Sequence, residues 1–368
     1  MAAMVRLAVL LMSLCACGGN GAAIVDAVQA DAPSTDAEVA VDAEVAIDAA
    51  PPSVTSIRVG ADATFESFAA VAVTSDGTVI VGGTAAGAGG LDAVVVTFDA
   101  ADQLTGVRTL GTGESDSFLG AASDGAGAVL VGTAGQAQQL GIAVRVAADR
   151  TVTAARTFGG SQRAGNTTTR GGQALNAVAC TASGYVLAGE TYPGSTAASG
   201  ASWVLALDDQ LAPRWEYTAG DGVGRIGAGA VAARAGRLFV GGYAHTSADA
   251  AGMRIVAFDD GATATPAWIR QFAPILAGGF DLDNVTAIAA TADGLWLAGY
   301  ADPGGVFTGQ ILKLGLDGTV MGAVRLEGPG NPILRAVVAL ADGGCVVAGD
   351  AGGHGLLVRV DAALQVVW

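Results

Sequence analysis

Short apolar runs closed by a glycine and then a polar residue recur six times along this chain. They are Ile80-Val81-Gly82-Gly83-Thr84, Leu130-Val131-Gly132-Thr133, Val186-Leu187-Ala188-Gly189-Glu190, Phe239-Val240-Gly241-Gly242-Tyr243, Trp296-Leu297-Ala298-Gly299-Tyr300 and Val346-Val347-Ala348-Gly349-Asp350. The final glycines are separated by 49, 57, 53, 57 and 50 residues. Around each phrase the apolar runs are four to eight residues long and bounded by turn residues, which is strand patterning; helical periodicity is absent. In the first repeat the pattern predicts strands over Ala69–Val73, Thr78–Gly83, Ala93–Phe98 and Gly106–Gly111. Four strands in a unit of about fifty residues, six times over, predict an all-β fold: a six-bladed β-propeller of four-stranded blades spanning 54–368.

Two further signals keep the same period. The first hairpin turn recurs as Ser75-Asp76-Gly77, Ser123-Asp124-Gly125, Ala182-Ser183-Gly184, Ala235-Gly236, Ala292-Asp293-Gly294 and Ala341-Asp342-Gly343, where an Asp-Gly step suits a tight hairpin. The third strand ends in an apolar residue and Asp at Phe98-Asp99, Leu207-Asp208, Phe258-Asp259, Leu316-Asp317 and Val360-Asp361, and degrades to Ala148-Asp149 in the second repeat. The sixth repeat reaches Trp368 where its fourth strand begins, as Trp215 and Trp268 begin theirs. Ser56-Ile57-Arg58-Val59-Gly60 followed by Glu66-Ser67-Phe68 matches Gly106 to Gly111 followed by Asp116-Ser117-Phe118. This predicts a ring closed by an N-terminal strand that completes the last blade, which also removes an exposed sheet edge.

Composition narrows the function classes. A net charge of −16 argues against a nucleic-acid partner, because phosphates call for a basic face. The first 53 residues carry one base, Arg6, and seven acids. Residues 17–53, rich in Asp-Ala and Glu-Val-Ala steps, read as a disordered acidic tether, since such a segment buries too little apolar surface to offset its ordering entropy. Ahead of it, Arg6 and the apolar Leu7 to Leu14 form a targeting segment, 1–16, about half the ~20 residues of a membrane-spanning helix.

The stretch Leu14-Cys15-Ala16-Cys17-Gly18 resembles the lipobox of bacterial lipoproteins. That resemblance implies cleavage before Cys17 and acylation of its thiol, with palmitate or a similar chain, anchoring the protein to the cell envelope by lipid alone; Gly18 implies outer-membrane sorting. An ordinary signal peptide with chance cysteines is the alternative. Cys180 and Cys345 then remain, in opposite blades of a six-membered ring and too far apart for a disulfide; both are expected as buried, inert thiols.

The repeats themselves resemble the delta-60 and SBBP repeats of bacterial secreted and surface proteins. The matching pieces are Asp76-Gly77, Ala188-Gly189, Leu207-Asp208, Trp215 and Arg156-Thr157-Phe158-Gly159. The resemblance covers 54–368 and implies the propeller fold and no particular activity.

Propellers place ligands where loops converge on the channel, and the residue after each glycine is expected to open one of those loops. Around the ring it reads Thr84, Thr133, Glu190, Tyr243, Tyr300 and Asp350, with His245, Asp302 and His354 nearby and Arg163, Arg170, Arg225, Asp281, Asp283 and Arg335 in the other loop set. Glu190, Tyr243, Tyr300, Asp350, His245 and His354 form the candidate ligand rim. Carboxylates beside aromatic faces suit a sugar or a cation, although plain solvated strand ends would read the same way. Asp281-Leu282-Asp283-Asn284 is too short for a calcium loop, the two histidines fall in different blades, and Ala86 to Gly90 has no following lysine for a phosphate loop. No metal site, cofactor or catalytic constellation is therefore expected. The reading is a monomeric, non-catalytic binding or scaffolding module for a protein or glycan; the alternative is a glycan hydrolase or lyase using Glu190 or Asp350.

Overall fold

A computed structural model describes residues 66–368, apart from 88–89, 102, 112–113, 136–138, 160–171, 192–199, 221–224, 246–251, 262, 273–283, 302–306 and 329. The targeting segment, the acidic tether, Cys17 and the strand expected at 56–60 lie outside the described residues, as do Arg163, Arg170, Asp281, Asp283 and Asp302.

The described chain is a six-bladed β-propeller, built without helices. Blade 1 comprises β1 (Glu66–Val73), β2 (Val79–Ala86), β3 (Leu91–Phe98) and β4 (Leu104–Leu110). Blade 2 has β5 (Ser117–Ser123), β6 (Gly127–Ala134), β7 (Leu140–Ala147) and β8 (Val152–Phe158). Blade 3 has β9 (Gln173–Thr181), β10 (Gly184–Thr191), β11 (Ala201–Leu207) and β12 (Pro213–Ala219). Blade 4 has β13 (Arg225–Arg234), β14 (Arg237–His245), β15 (Gly252–Asp259) and β16 (Pro266–Phe272). Blade 5 has β17 (Asn284–Ala290), β18 (Leu295–Ala301), β19 (Thr308–Leu314) and β20 (Val320–Leu326). Blade 6 has β21 (Ile333–Ala339), β22 (Cys345–Ala351) and β23 (His354–Val360). Every sheet is an antiparallel meander in chain order.

The recurring glycine has one physical cause in all six blades. The first strand of each blade carries a β-bulge, at Ala69, Leu119, Asn176, Gly229, Thr286 and Arg335, each the extra residue at a register shift against the second strand. The bulge swings a first-strand carbonyl over the second strand. A Cβ on Gly83, Gly132, Gly189, Gly242, Gly299 or Gly349 would land less than 3.0 Å from the carbonyl oxygen of Ser67, Ser117, Ala174, Gly227, Asn284 or Ile333 respectively. Only glycine leaves that oxygen room, so the bulge and the glycine are one device.

Packing between blades supplies the core. Five apolar clusters each join two successive blades: Ile80 and Val95 with Leu130 and Val144, Val131 with Leu187 and Trp203, Val204 with Val240 and Phe258, Phe239 and Ile255 with Leu297 and Leu312, and Trp296 and Ile311 with Val347 and Val358. Each fully buried Leu, Val or Phe among them contributes roughly 1.5–3 kcal/mol. Cys345 is buried and Cys180 half-buried, both free. Burial pushes each thiol up to about 12, which leaves them protonated and unreactive at neutral pH.

Polar latches repeat at the outer edge. Arg108, Arg156 and Arg270 stand at one register of their outermost strands, opposite Val95, Ala143 and Ile255. Each donates to a carbonyl in the turn after the next blade's third strand: Arg150 O at 2.9 Å, Leu211 O at 3.5 Å and Asp317 O at 3.5 Å. Two residues before that register, Trp215 and Trp268 donate their indole N–H to Gly261 O (3.1 Å) and Leu316 O (3.2 Å) of the next blade.

Candidate functional site

The residue after each recurring glycine, the ruler of the repeat, does not open a loop; it is still inside the second strand and paired on both sides. Glu190 faces Ala174 and Ser202, Tyr243 faces Gly227 and Met253, Tyr300 faces Asn284 and Gly309, and Asp350 faces Ile333 and Gly355. Pairing outlasts the glycine because the bulge restores register one residue before it, so the ladder runs one or more residues further. Thr84 and Thr133 are consequently buried, and the Thr133 hydroxyl meets that of Ser117 at 2.9 Å.

The remaining four rim residues separate into distinct local sites. Glu190 and Tyr243, from adjacent blades, converge above Gly227. A Cβ there would stand 2.5 Å from Glu190 Oε1 and as close to the Tyr243 ring, so glycine is what admits both side chains. Tyr300 packs edge-on against Phe307, ring centroids 5.3 Å apart. Asp350 accepts from Arg335 Nε at 2.5 Å, with both side chains partly exposed. Arg335 was expected in a loop, but it is the bulge residue of β21, and the bulge is what turns its guanidinium back toward β22. His245 ends β14, paired to Arg225. His354 opens β23 at an exposed hairpin in blade 6. The two histidines are thus not brought together, and among the described residues no three His, Cys, Asp or Glu side chains are grouped to hold a metal.

The bulge positions form a second ring, of which the sequence reading had named only Arg335. Asn176 Nδ2 donates to Ala228 O of the next blade (3.0 Å), and Thr286 Oγ1 donates to Leu334 O (2.6 Å), again one blade on. With Arg335 they make a series of polar residues on the innermost strands, two of them bolting neighbouring blades together. The available signal was the residue fourteen or fifteen before each ruler glycine's polar neighbour, but a bulge is invisible to period-two patterning.

Charge is organised at the seam of blades 2 and 3. Asp124, in the first hairpin turn of blade 2, accepts from Arg145 Nε (2.7 Å) and from the Tyr185 hydroxyl (3.1 Å) of blade 3. Burial alone would raise the Asp124 carboxyl; hydrogen bonds from Arg145, the Gly127 N–H and Tyr185 outweigh it and hold the carboxyl below the usual aspartate range. The Tyr185 phenol is pushed well above its ordinary value, first by burial and then by the Asp124 charge. Blade 6 repeats the brace as Asp342 with Arg359 at 2.8 Å, more exposed and without a tyrosine.

Comparison with known proteins returns folds, not a family. No family model matches the chain, and no curated protein matches it. Among solved structures, the periplasmic gluconolactonase of Pseudomonas aeruginosa is 14% identical, with 81% of this chain and 83% of that one covered and a TM-score of 0.48. A putative 6-phosphogluconolactonase from Bacteroides uniformis is 12% identical over the same shares, also at 0.48. A chain of the mitotic checkpoint complex is 12% identical, covering 94% and 97%, at 0.42.

Asp350 is engaged by Arg335, and Glu190 Oε1 and the Tyr243 ring stand together over Gly227. A carboxylate and a tyrosine ring at one spot are the group types that hold sugar hydroxyls and cationic groups.

Proposed function

We propose that this protein is a lipid-anchored envelope protein whose propeller is a non-catalytic binding module, taking a glycan or a protein partner at the seam of blades 3 and 4. The observation that carries this reading is the convergence of Glu190 and Tyr243 over Gly227. Two blades contribute to one spot, the backbone gives way to admit both side chains, and the pair combines an acceptor with an aromatic face. The lipobox-like Leu14-Cys15-Ala16-Cys17 supports anchoring through Cys17, and the acidic 17–53 segment supports a spacer that holds the propeller off the membrane.

A glycan array probed with the full chain tests the binding half. Glu190→Ala with Tyr243→Ala should lower retention on any bound glycan at least tenfold at unchanged circular dichroism, whereas His354→Ala in blade 6 should not. Equal retention by all three proteins overturns the seam. Anchoring is tested separately by radiolabelled palmitate: incorporation and membrane fractionation should both disappear with Cys17→Ala, and label persisting in that variant overturns the assignment.

A further inference from the structure

One position on the outermost strands carries residues of very unequal size. It is the first residue after the register shift: Gly106 opposite Thr97, Ala154 opposite Arg145, Trp215 opposite Ala206, Trp268 opposite Ala257 and Gly322 opposite Lys313. The ladder is the same in all five, so it does not itself call for tryptophan in two blades and glycine in two others.

Facing this position is the turn that follows the third strand of the next blade. In blades 2, 3, 5 and 6 that turn closes in one way, with a residue of positive φ whose N–H donates to the carbonyl three residues back. The residues are Arg150 (φ 70°) to Ala147, Leu211 (60°) to Asp208, Gly318 (82°) to Gly315 and Leu364 (66°) to Asp361. Left-handed backbone favours glycine, and an arginine or leucine held there is strained. Glycine nevertheless stands where a tryptophan comes from the blade before. A Cβ on Gly318 would lie 3.1 Å from the Trp268 ring, and the Trp215 indole donates to Gly261 O at 3.1 Å. Where the strand residue is small, the turn residue is large and fills the space. A Cβ on Gly106 would land on the Arg150 guanidinium, which donates to Thr105 O of the same strand. One on Gly322 would land on Leu364 Cδ1, and Ala154 packs against the buried cluster that contains Leu211.

We infer that this position is a recognition surface between blades, with two matched classes of partner. A small strand residue accepts a turn carrying Arg or Leu, at the seams of blades 1 and 2, 2 and 3, and 5 and 6. Tryptophan accepts a turn carrying glycine, at the seams of blades 3 and 4 and of blades 4 and 5. Six blades of one strand pattern could otherwise stack in the wrong order or exchange with those of a second copy. A tryptophan met by a leucine turn clashes, and Gly106 met by a glycine turn leaves a void. Blades 3 and 5 are where the class changes: blade 3 presents Leu211 to the blade before it and Trp215 to the blade after, and blade 5 presents Gly318 and Gly322. The strained backbone at Arg150, Leu211 and Leu364 is thus required by the seam and not by the turn.

Glycine substitution in the full chain gives the sign. Leu364→Gly relieves the left-handed backbone but empties the space over Gly322, so it should lower the melting temperature by about 2 °C or more. Ala235→Gly, at an exposed left-handed residue (φ 49°) of the β13–β14 hairpin, relieves the same backbone and empties no buried space, so it should leave the melting temperature unchanged or raise it. A Leu364→Gly shift no lower than that of Ala235→Gly overturns the inference. A second experiment transplants a class. Gly106→Trp should lower the melting temperature or the soluble yield. Adding Arg150→Gly, which writes the pair of blades 4 and 5 into blades 1 and 2, should recover about half of that loss or more, whereas adding Leu364→Gly, the same kind of change at another seam, should recover none. No recovery, equal recovery from both additions, or a Gly106→Trp variant as stable as the parent each overturns the inference as well. Neither experiment depends on the binding reading at the seam of blades 3 and 4.

Discussion

Blades 3 and 6 carry the same phrase, the same Asp-terminated third strand and the same tryptophan, yet they are buried to different extents. In blade 3, β10 and β11 are buried along nearly their whole length, with Leu187, Val204, Leu205 and Trp203 almost inaccessible. In blade 6, β22 and β23 alternate between buried and half-exposed, because Val347 and Val358 pack on blade 5 while the opposite face carries the exposed Val338. The difference lies in the neighbours and not in the sequence pattern. A propeller strand is a two-sided object, and its contribution depends on both flanking blades being in place.

The largest expected contrast comes from truncating a buried ring. Trp203 packs among Val129, Val131, Ala143 and Leu187, and its indole N–H donates to Glu216 at 2.7 Å. Trp203→Ala should cost about 3–5 kcal/mol in urea unfolding, whereas Val338→Ala in blade 6 should stay within about 0.5 kcal/mol. Similar losses from the two would mean that the blades are equally supported. Next in size is the bulge device. Gly189→Ala should cost roughly 1–3 kcal/mol, since the clash is with a backbone oxygen that cannot swing aside, and Gly349→Ala should fall at the low end because β21 and β22 are less buried and can shift more readily. Thermal melts of the two variants, with equal shifts, would remove that distinction.

The Asp-Arg braces sharpen the comparison through pH. Asp124 has a folded pKa below its unfolded value, so its contribution is present above about pH 3.9 and is lost as pH falls through the lower, folded value. Asp124→Asn should therefore flatten the acid limb of the stability curve below pH 4, as followed by tryptophan fluorescence; an unchanged limb would show the brace to be idle. Asp342 is also held low, first by the Gly344 N–H and then by Arg359, but in the open. Replacing it should change the acid limb less, and 1 M salt should erase the difference. Smallest of all, Gly328→Ala should leave the melting temperature unmoved, because nothing lies within 4 Å of the position a Cβ would take.

Much of this architecture was legible before any coordinate. Strand alternation, Asp-Gly hairpins and the fifty-residue recurrence are local signals repeated six times, and they gave the blade count and the bounds of the four blade 1 strands to within about three residues. The rim was legible only as a set of positions. Glu190, Tyr243, Tyr300 and Asp350 were named from their place after a glycine, but that place proved to be still in the ladder, one or two residues before the strand ends, and which side chains meet depends on contacts between residues far apart in the chain. Glu190 finds Tyr243 across a blade boundary, and Asp350 finds Arg335 across a bulge. Of the bulge residues, Asn176 and Thr286 escaped the pattern altogether and Arg335 was read as a loop residue, because one inserted residue looks like one more step of the strand.

By itself, then, the sequence determined the unit: a four-stranded meander, repeated, with a glycine at one invariant step. Hydrophobic alternation and turn chemistry act within a dozen residues and need no partner to be read. The tertiary structure decided why that glycine is required, since the intruding carbonyl belongs to a strand folded back against it. It decided equally which polar groups form braces, latches and a candidate site, because those bonds span some 15 to 60 residues and exist only once the blades are stacked.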